Sequence, residues 1–412
     1  MRRVAITGLG AVSPAGLTAA TTWQRVVAGE TAIGPLRLPR MEDVGCPVAA
    51  QAHAFDPDAH FSAKRQTSLD RVSQFAVVAA REAVADAGFL PEDPGLAKAD
   101  VVIGIGVGGM NTLDDSFHRI YGERGRGVHP LTIPKLMTNA PASQISMDLG
   151  LRGNTFAVAS ACASGSHAIG LAFRAILHGD CDIALAGGSE ACITNGTLVG
   201  WSALRILSRD TCRPFARNRN GLVLGEGSAI LVLEEWERAV ARNARIYAEL
   251  VGFGANADAG DLTSPDQSGA EAAMQRAMAS AGLAPSAIDY VNAHGTGTLM
   301  NDIVESRAIR AVFPADDLPL VSSIKGVLGH CLGAAGALEA LATTLTLYHQ
   351  LVPPTANCAE PDEECGLDVV AEGARPASVR HALSNSFAFG GLNAVLAFSA
   401  WKPIPSAASP AM

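Results

Sequence analysis

A cysteine at the start of an alanine- and glycine-rich helix is the first residue in this chain with chemistry to offer. In Phe156-Ala157-Val158-Ala159-Ser160-Ala161-Cys162-Ala163-Ser164-Gly165-Ser166-His167 an apolar, strand-like stretch runs straight into a helical one and puts Cys162 at or near the helix N-terminus. The partial positive charge of a helix start and its unpaired N–H groups favour thiolate over thiol, so a lowered pKa is expected there, and thiolate is the attacking species. The same N–H groups can hold the oxyanion formed when a thioester carbonyl is attacked. Most free cysteines are small buried residues, and that reading suits the other seven. Around Cys162, alanine and glycine neighbours strip bulk from the sulfur, as a site admitting a long thioester requires.

Two histidines share that setting. Asn292-Ala293-His294-Gly295-Thr296-Gly297-Thr298 follows a predicted strand and turns on two glycines before a helix beginning near Asp302. In Ser322-Ser323-Ile324-Lys325-Gly326-Val327-Leu328-Gly329-His330-Cys331-Leu332-Gly333, His330 stands just ahead of a second Ala/Gly helix. A lone histidine is more often structural, which is the reading for His53, His129 and His381; two on glycine-flanked loops beside an elbow cysteine form a far more specific set. Lys325 precedes His330 by five residues and Glu339 follows it by nine. A buried Lys–Glu pair would fix the loop carrying the histidine, whereas a surface pair would be worth little. Gly104-Ile105-Gly106-Val107-Gly108-Gly109 superficially resembles a phosphate-cradling loop. Its spacing is not G-x-G-x-x-G, and Asp114 and Asp115 follow it, so a dinucleotide site is rejected.

Such loops need a rigid frame. Short apolar runs bounded by glycines read as buried strands at Val4–Gly10, Val101–Ile103, Ile183–Ala186, Ala229–Leu233 and Ala394–Phe398. Helical stretches lie between them at about Leu69–Ala87, Ala163–His178, Gly269–Ala281, Asp302–Val312 and Gly333–His349. The alternation implies α/β layers, and Ala/Gly helices that are apolar on most faces suit the central layer of an α-β-α-β-α arrangement. The chain has 412 residues, 48% hydrophobic and 17% charged, enough for a large core. Mean hydropathy is +0.21, carried largely by Ala and Gly, and no run approaches the roughly 20 apolar residues a bilayer span needs. The first residues look like a strand rather than a signal peptide, so a cytoplasmic protein is expected. Eight cysteines without a C-x-x-C pair fit neither a disulfide framework nor a zinc site. A net charge of −9 argues against a nucleic-acid platform. Only Pro403–Met412 reads as a linker.

Taken together, these motifs resemble the β-ketoacyl-ACP synthase family over essentially the whole length, from Val4–Gly10 to Asn385-Ser386-Phe387-Ala388-Phe389-Gly390-Gly391-Leu392-Asn393. The resemblance implies a thiolase-like five-layered fold of two similar halves, 1–250 carrying the nucleophile and 251–412 carrying both histidines. It implies acyl transfer from acyl-ACP to Cys162, then decarboxylative Claisen condensation with malonyl-ACP, with no metal or redox cofactor. His294 and His330 would bind the malonyl thioester and stabilise its enolate. Lys325 and Glu339 match a structural-catalytic pair, and Thr296 and Thr298 match hydroxyls near pantetheine or malonyl. Backbone N–H groups of Cys162 and Phe389 would form the oxyanion hole, with Phe389 gating the site. Trp201, where family members more often carry Phe, and Val107 would line the acyl pocket. Lys64, Arg65, Arg124, Arg126 and Arg205 would receive acidic acyl carrier protein.

Other departures are Ala216 and Asn220 in place of aspartates and Leu222 in place of a phenylalanine. With Trp201-Ser202-Ala203-Leu204-Arg205, they make the chain look more like specialised ketosynthases of polyketide or polyene assembly than a housekeeping enzyme. The implied partner is a second copy, or a chain-length-factor-like ketosynthase in a heterodimer, meeting near Thr132 and Ile133. Two alternatives stand beside this. A CoA-dependent thiolase would want a second cysteine where Phe387-Ala388-Phe389 stands, and a non-catalytic chain-length factor would lack Cys162. His330 likewise disfavours the Cys-His-Asn set of initiating synthases.

Overall fold

Runs of Val, Ile, Leu and Ala buried along their whole length, with no alternation toward solvent, form the middle of the sheet, as strands covered on both faces must. The structure is a computed structural model and describes residues 2–38, 45–90 and 93–401; the linker read at Pro403–Met412 lies outside the described residues. The main sheet has eleven strands: β1 Val4–Val12, β2 Asp100–Gly104, β3 Thr155–Val158, β4 Ile183–Glu190, β5 Gly227–Glu235, β6 Ala248–Ala257, β7 Tyr290–Asn292, β8 Leu320–Ser322, β9 Asp368–Val369, β10 His381–Ala388 and β11 Leu392–Ala400. Their spatial order is β9-β8-β7-β10-β11-β6-β1-β5-β4-β2-β3. Every strand expected from the apolar runs is present.

The two wings join weakly. β1 pairs with β5 along nearly its whole length, but with β6 only from Val4↔Leu250 to Ile6↔Ala248. Beyond that junction the wings diverge and two helices fill the space between them. These are α2 (Ser164–His178) and α6 (Ala335–His349), which belong to a set with α1 (Arg71–Asp86), α3 (Asn195–Ala203), α4 (Gln267–Ala281) and α5 (Leu299–Val312). α2 packs on β4 and β2 on one side and on β6 and β11 on the other; α6 packs on β10 and β5. α1 covers the outer face of β1 and β5, and α4 covers β6 and β11 with α5 beside it. The result is the α-β-α-β-α sandwich of two similar halves that the resemblance implied. α6 is buried on all faces from Ala335 to Leu347, as a central-layer helix must be. Close approach demands small residues there: a Cβ at Gly170 of α2 would lie 2.4 Å from the Phe253 ring.

Helix ends differ from expectation by a few residues, and the caps say why. Asp70 accepts from the Val72 N–H and starts α1; Thr298 accepts from the Asn301 N–H and starts α5 at Leu299 rather than Asp302. α6 begins at Ala335 because Leu332–Ala334 is wound into a tighter 3₁₀ turn. Among the described residues, no helix is long and apolar enough to cross a membrane.

Candidate active site

Cys162 sits in a 3₁₀ turn, Ala161–Ala163, that feeds directly into α2. The turn is sharp: Ala161 has φ +49°, a left-handed conformation that costs an L-residue roughly 1–2 kcal/mol. Ser164 repays part of it, its hydroxyl accepting from the Ser160 N–H at 2.9 Å and donating to the Ala161 carbonyl at 2.7 Å. The sulfur is buried yet opens on a cavity of about 500 Å³. The expectation of a lowered thiol pKa is not met. Burial pushes the Cys162 thiol up to about 12, opposed by the Lys325 cation and by the Phe389 backbone N–H, which donates to the sulfur. At this buried position, desolvation of a thiolate outweighs the helix start.

His294 and His330 face the same cavity, their rings nearly perpendicular with centroids 5.3 Å apart. Burial first, and then the Lys325 cation, hold both well below the usual imidazole range, so both are neutral at pH 7. Their hydrogen bonds fix the tautomer. Nδ1 of His330 accepts from the Leu332 N–H at 3.2 Å, and Nδ1 of His294 lies 3.3 Å from Lys325 Nζ, a group that can only donate. Each ring therefore carries its proton on Nε2. Two neutral Nε2–H donors on buried rings suit negative charge developing on a thioester oxygen.

Lys325 is 1% exposed, and its ammonium also donates to the His294 carbonyl and to Glu339. The surface-pair alternative is thereby removed. Thr296 and Thr298 line the cavity with their hydroxyls 2.9 Å apart. Trp201, near the end of α3, stacks on Phe389 at 5.9 Å and 21°, and both rings line the cavity. Asn220 and Leu222, two of the unusual positions, line it as well, while Ala216 is packed in the core.

Other expected residues lie elsewhere. Val107 is 41% exposed and outside the cavity lining, on a loop whose N–H groups point at Glu190. Arg205 lines the cavity mouth in a left-handed turn, together with Asp258 and Asp261. Lys64 and Arg65 sit on the short helix Ala63–Gln66, with Arg65 4.0 Å from Asp148. Arg124 and Arg126 follow the exposed turn His118–Gly122. None of these four lines the cavity. His53 and His129 are exposed and His381 bonds Ser399 at 2.8 Å; none of the three lines the cavity.

Sequence reasoning missed three buried carboxylates. Asp302 accepts the N–H groups of Thr296 and Gly297, and Glu305 those of His294 and Gly295, at 2.8 to 3.2 Å. Glu305 also accepts from Asn385 Nδ2 at 3.2 Å, tying the histidine loop to the strand that leads to Phe389. Burial raises Glu305 to about 7 against those donors. Two acids three residues apart on α5, directly after the histidine loop, were the available signal. Glu190 is the third: its carboxylate fills the nest of Gly106, Val107 and Gly108 N–H groups, which is why the glycine loop has no room for a phosphate.

The family models for "Beta-ketoacyl synthase, N-terminal domain" and "Beta-ketoacyl synthase, C-terminal domain" match residues 1–239 and 247–359. "Nodulation protein E" of Rhizobium sp. (strain N33) is 43% identical over 398 residues, 96% of this chain and 99% of that protein. "3-oxoacyl-[acyl-carrier-protein] synthase 2" of Staphylococcus aureus (strain N315) is 41% identical over 405 residues, 96% of this chain and 98% of that one. Among solved structures, "The ishigamide ketosynthase/chain length factor" superposes with a TM-score of 0.93 at 34% identity, covering 97% of this chain and 100% of the other. A type II PKS acyl-carrier protein in complex with its ketosynthase bound to the hexaketide (AntDE:AntF) superposes with a TM-score of 0.88 at 29% identity, covering 97% and 100%.

Proposed function

This chain belongs to the β-ketoacyl synthase family, and from that premise we propose how its cavity carries out the reaction. The protein is a 3-oxoacyl-ACP synthase of the elongating kind, an acyltransferase of fatty-acid or type II polyketide chain extension. In our reading, the Cys162 thiol attacks an acyl thioester, the oxyanion rests on the N–H groups of Cys162 and Phe389, and the carrier leaves as a thiol bearing the cysteine's proton. Malonyl-ACP then enters. Loss of carbon dioxide leaves an enolate whose oxygen accepts from Nε2–H of His294 and His330 while Lys325, paired with Glu339, holds His294. The enolate carbon attacks the acyl-Cys162 carbonyl, the C–S bond breaks, and the expelled Cys162 thiolate takes up one proton from solvent, the proton that decarboxylation of a carboxylate consumes. In this reading the steps balance without a metal or redox cofactor. The observation that carries the reading is the pair of neutral, tautomer-fixed imidazoles beside one buried thiol in one cavity.

Thr296 and Thr298 would hold the pantetheine or malonyl group, and Trp201 would shape the acyl end. Acyl carrier protein would deliver both substrates, as the names of the Staphylococcus and AntDE:AntF relatives support; of the five basic residues, Arg205, which lines the cavity, would meet it. The cysteine half, expected to end at 250, would hand over to the histidine half at the start of β6, Ala248. A second ketosynthase-like chain would cover Phe117, Tyr121, Leu131, Ile133 and Met137, exposed apolar residues close in sequence. Whether that chain is a second copy or a chain-length factor, as in the ishigamide protein, is decided by purification alone and with a co-expressed partner. Eight free cysteines support a reducing, cytoplasmic setting. The unusual Trp201, Asn220 and Leu222 in the cavity wall favour a specialised polyketide or polyene product.

The test is a panel of acyl-ACPs of varied length and unsaturation with malonyl-ACP, read by intact mass. Acylation at Cys162, absent in Cys162→Ala, followed by β-ketoacyl-ACP and carbon dioxide is the expected result. No acylation from any carrier thioester, even with a partner present, overturns it in favour of a CoA-dependent or binding role.

A further inference from the structure

Glu190 ends β4 fully buried, and its carboxylate is shared between two loops. On one side it accepts the N–H groups of Gly106 at 2.8 Å, Val107 at 3.2 Å and Gly108 at 3.3 Å; on the other it accepts the Gly333 N–H at 3.1 Å. The loops meet around it so closely that a Cβ at Gly106 would lie 2.4 Å from Glu190 Oε2, and one at Gly333 would lie 2.2 Å from the Gly106 nitrogen. Gly333 belongs to the turn Leu332–Ala334, which packs directly against the nucleophile's turn Ala161–Ala163. Within that turn Leu332 has φ +45°, a conformation a leucine does not hold unless its surroundings impose it. Its N–H is the donor that reaches His330 Nδ1.

We propose that Glu190 is a positioning residue for the malonyl half-reaction: by gripping the Gly333 N–H against the anchored Gly106–Gly108 loop, it holds Leu332 left-handed and so keeps the N–H that makes His330 an Nε2–H donor. The inference rests on the role given to His330 above. Glu190 touches no substrate. Its carboxylate acts through one peptide unit, and the same grip sets the spacing between the turn that carries Cys162 and the turn that follows His330. The physical demand is for an acceptor with enough lone pairs to serve both loops at once, which a carboxylate has and an amide does not; burial raises Glu190 to about 7 against the four N–H donors, so the ionised form that grips both loops most fully prevails above that pH.

Glu190→Gln keeps the shape but replaces one acceptor oxygen with an NH₂ facing N–H groups. Glu190→Asp keeps the charge but is one methylene too short to span both loops, and it serves if the glutamine variant does not fold. Two rates are measured on each: acylation of Cys162 by acyl-ACP, and decarboxylation of malonyl-ACP. In both variants kcat for decarboxylation is expected to fall roughly 10- to 100-fold, the scale of a reacting group displaced by a fraction of an ångström to one ångström. KM for malonyl-ACP should move far less, and acylation should fall at least tenfold less than decarboxylation. Nitrogen-15 spectra of labelled histidine should show His330 losing its single Nε2–H tautomer. Wild-type decarboxylation in either folded variant, or an equal fall in both rates with the tautomer intact, overturns the proposal. His330→Ala separates the two readings. If it leaves decarboxylation untouched, the role of His330 itself fails; if it abolishes decarboxylation while the Glu190 variants keep the wild-type rate, only the present inference fails.

Discussion

Lys325 illustrates how much one buried side chain can hold. Its ammonium bonds Glu339, the His294 carbonyl and His294 Nδ1, so it neutralises a carboxylate, shapes a loop and sets a tautomer at once. Removing one partner of a buried ion pair leaves the other charge uncompensated, which costs about 3–5 kcal/mol. Lys325→Met should lower stability to urea by that order and abolish decarboxylation. Adding Glu339→Gln should restore most of the stability, because the pair then leaves no uncompensated charge behind, but not the activity. Denaturation midpoints and carbon dioxide release on the single and double variants check both halves. The spacing of Lys325, His330 and Glu339 was legible in the sequence, because a helix start and a loop so poor in side chains left them few places to go. The other partner, His294, was legible as a loop histidine, but nothing in the spacing said that this lysine would reach it.

At the scale of elements, the site is made by two short turns, Ala161–Ala163 and Leu332–Ala334, each opening a central helix and each containing a left-handed non-glycine residue. They touch because their helices, α2 and α6, pack together in the middle layer. Gly333→Ala places a methyl 2.2 Å from the Gly106 nitrogen and 2.8 Å from Glu190 Oε2. Since backbone cannot yield as a flexible side chain does, a loss of about 1–3 kcal/mol or more is expected, with loss of decarboxylation. Gly127→Ala is the matched control: its Cβ would meet nothing within 4 Å, so its melting temperature should stay near wild type. A thermal melt of the two variants side by side decides it. The glycines were visible as a pattern, but which loop each one lets in depends on neighbours remote in sequence, as Gly106 is from Gly333.

Over the whole molecule, the two wings of the sheet are joined by one short run of pairing between β1 and β6, and the central helices and the cavity sit where they diverge. The exposed segment carrying Phe117, Tyr121, Leu131, Ile133 and Met137 lies outside that body's core, and β3 stands at the edge of the sheet. An unpaired sheet edge and a run of exposed apolar side chains each favour a second chain. Ile133 is 62% exposed, so Ile133→Asp should cost the fold little. In sedimentation it should shift a dimer toward monomer, whereas a wild type that is already monomeric would move the expected contact to another chain.

The sequence by itself determined the strands marked by apolar runs, the central Ala/Gly helices, the elbow cysteine and the two loop histidines, because apolar runs, small residues and glycine-bounded turns are local signals. It also carried the resemblance that the family models and relatives bear out. Only the tertiary structure decided what surrounds those groups. The sign of the Cys162 shift followed from burial, not from the helix start, and the tautomers of His294 and His330 followed from donors brought in by other segments. Glu190 was invisible as a site residue for the same reason, and the spacing of Asp302 and Glu305 was a signal without a partner: only the fold shows which N–H groups a carboxylate has been buried against.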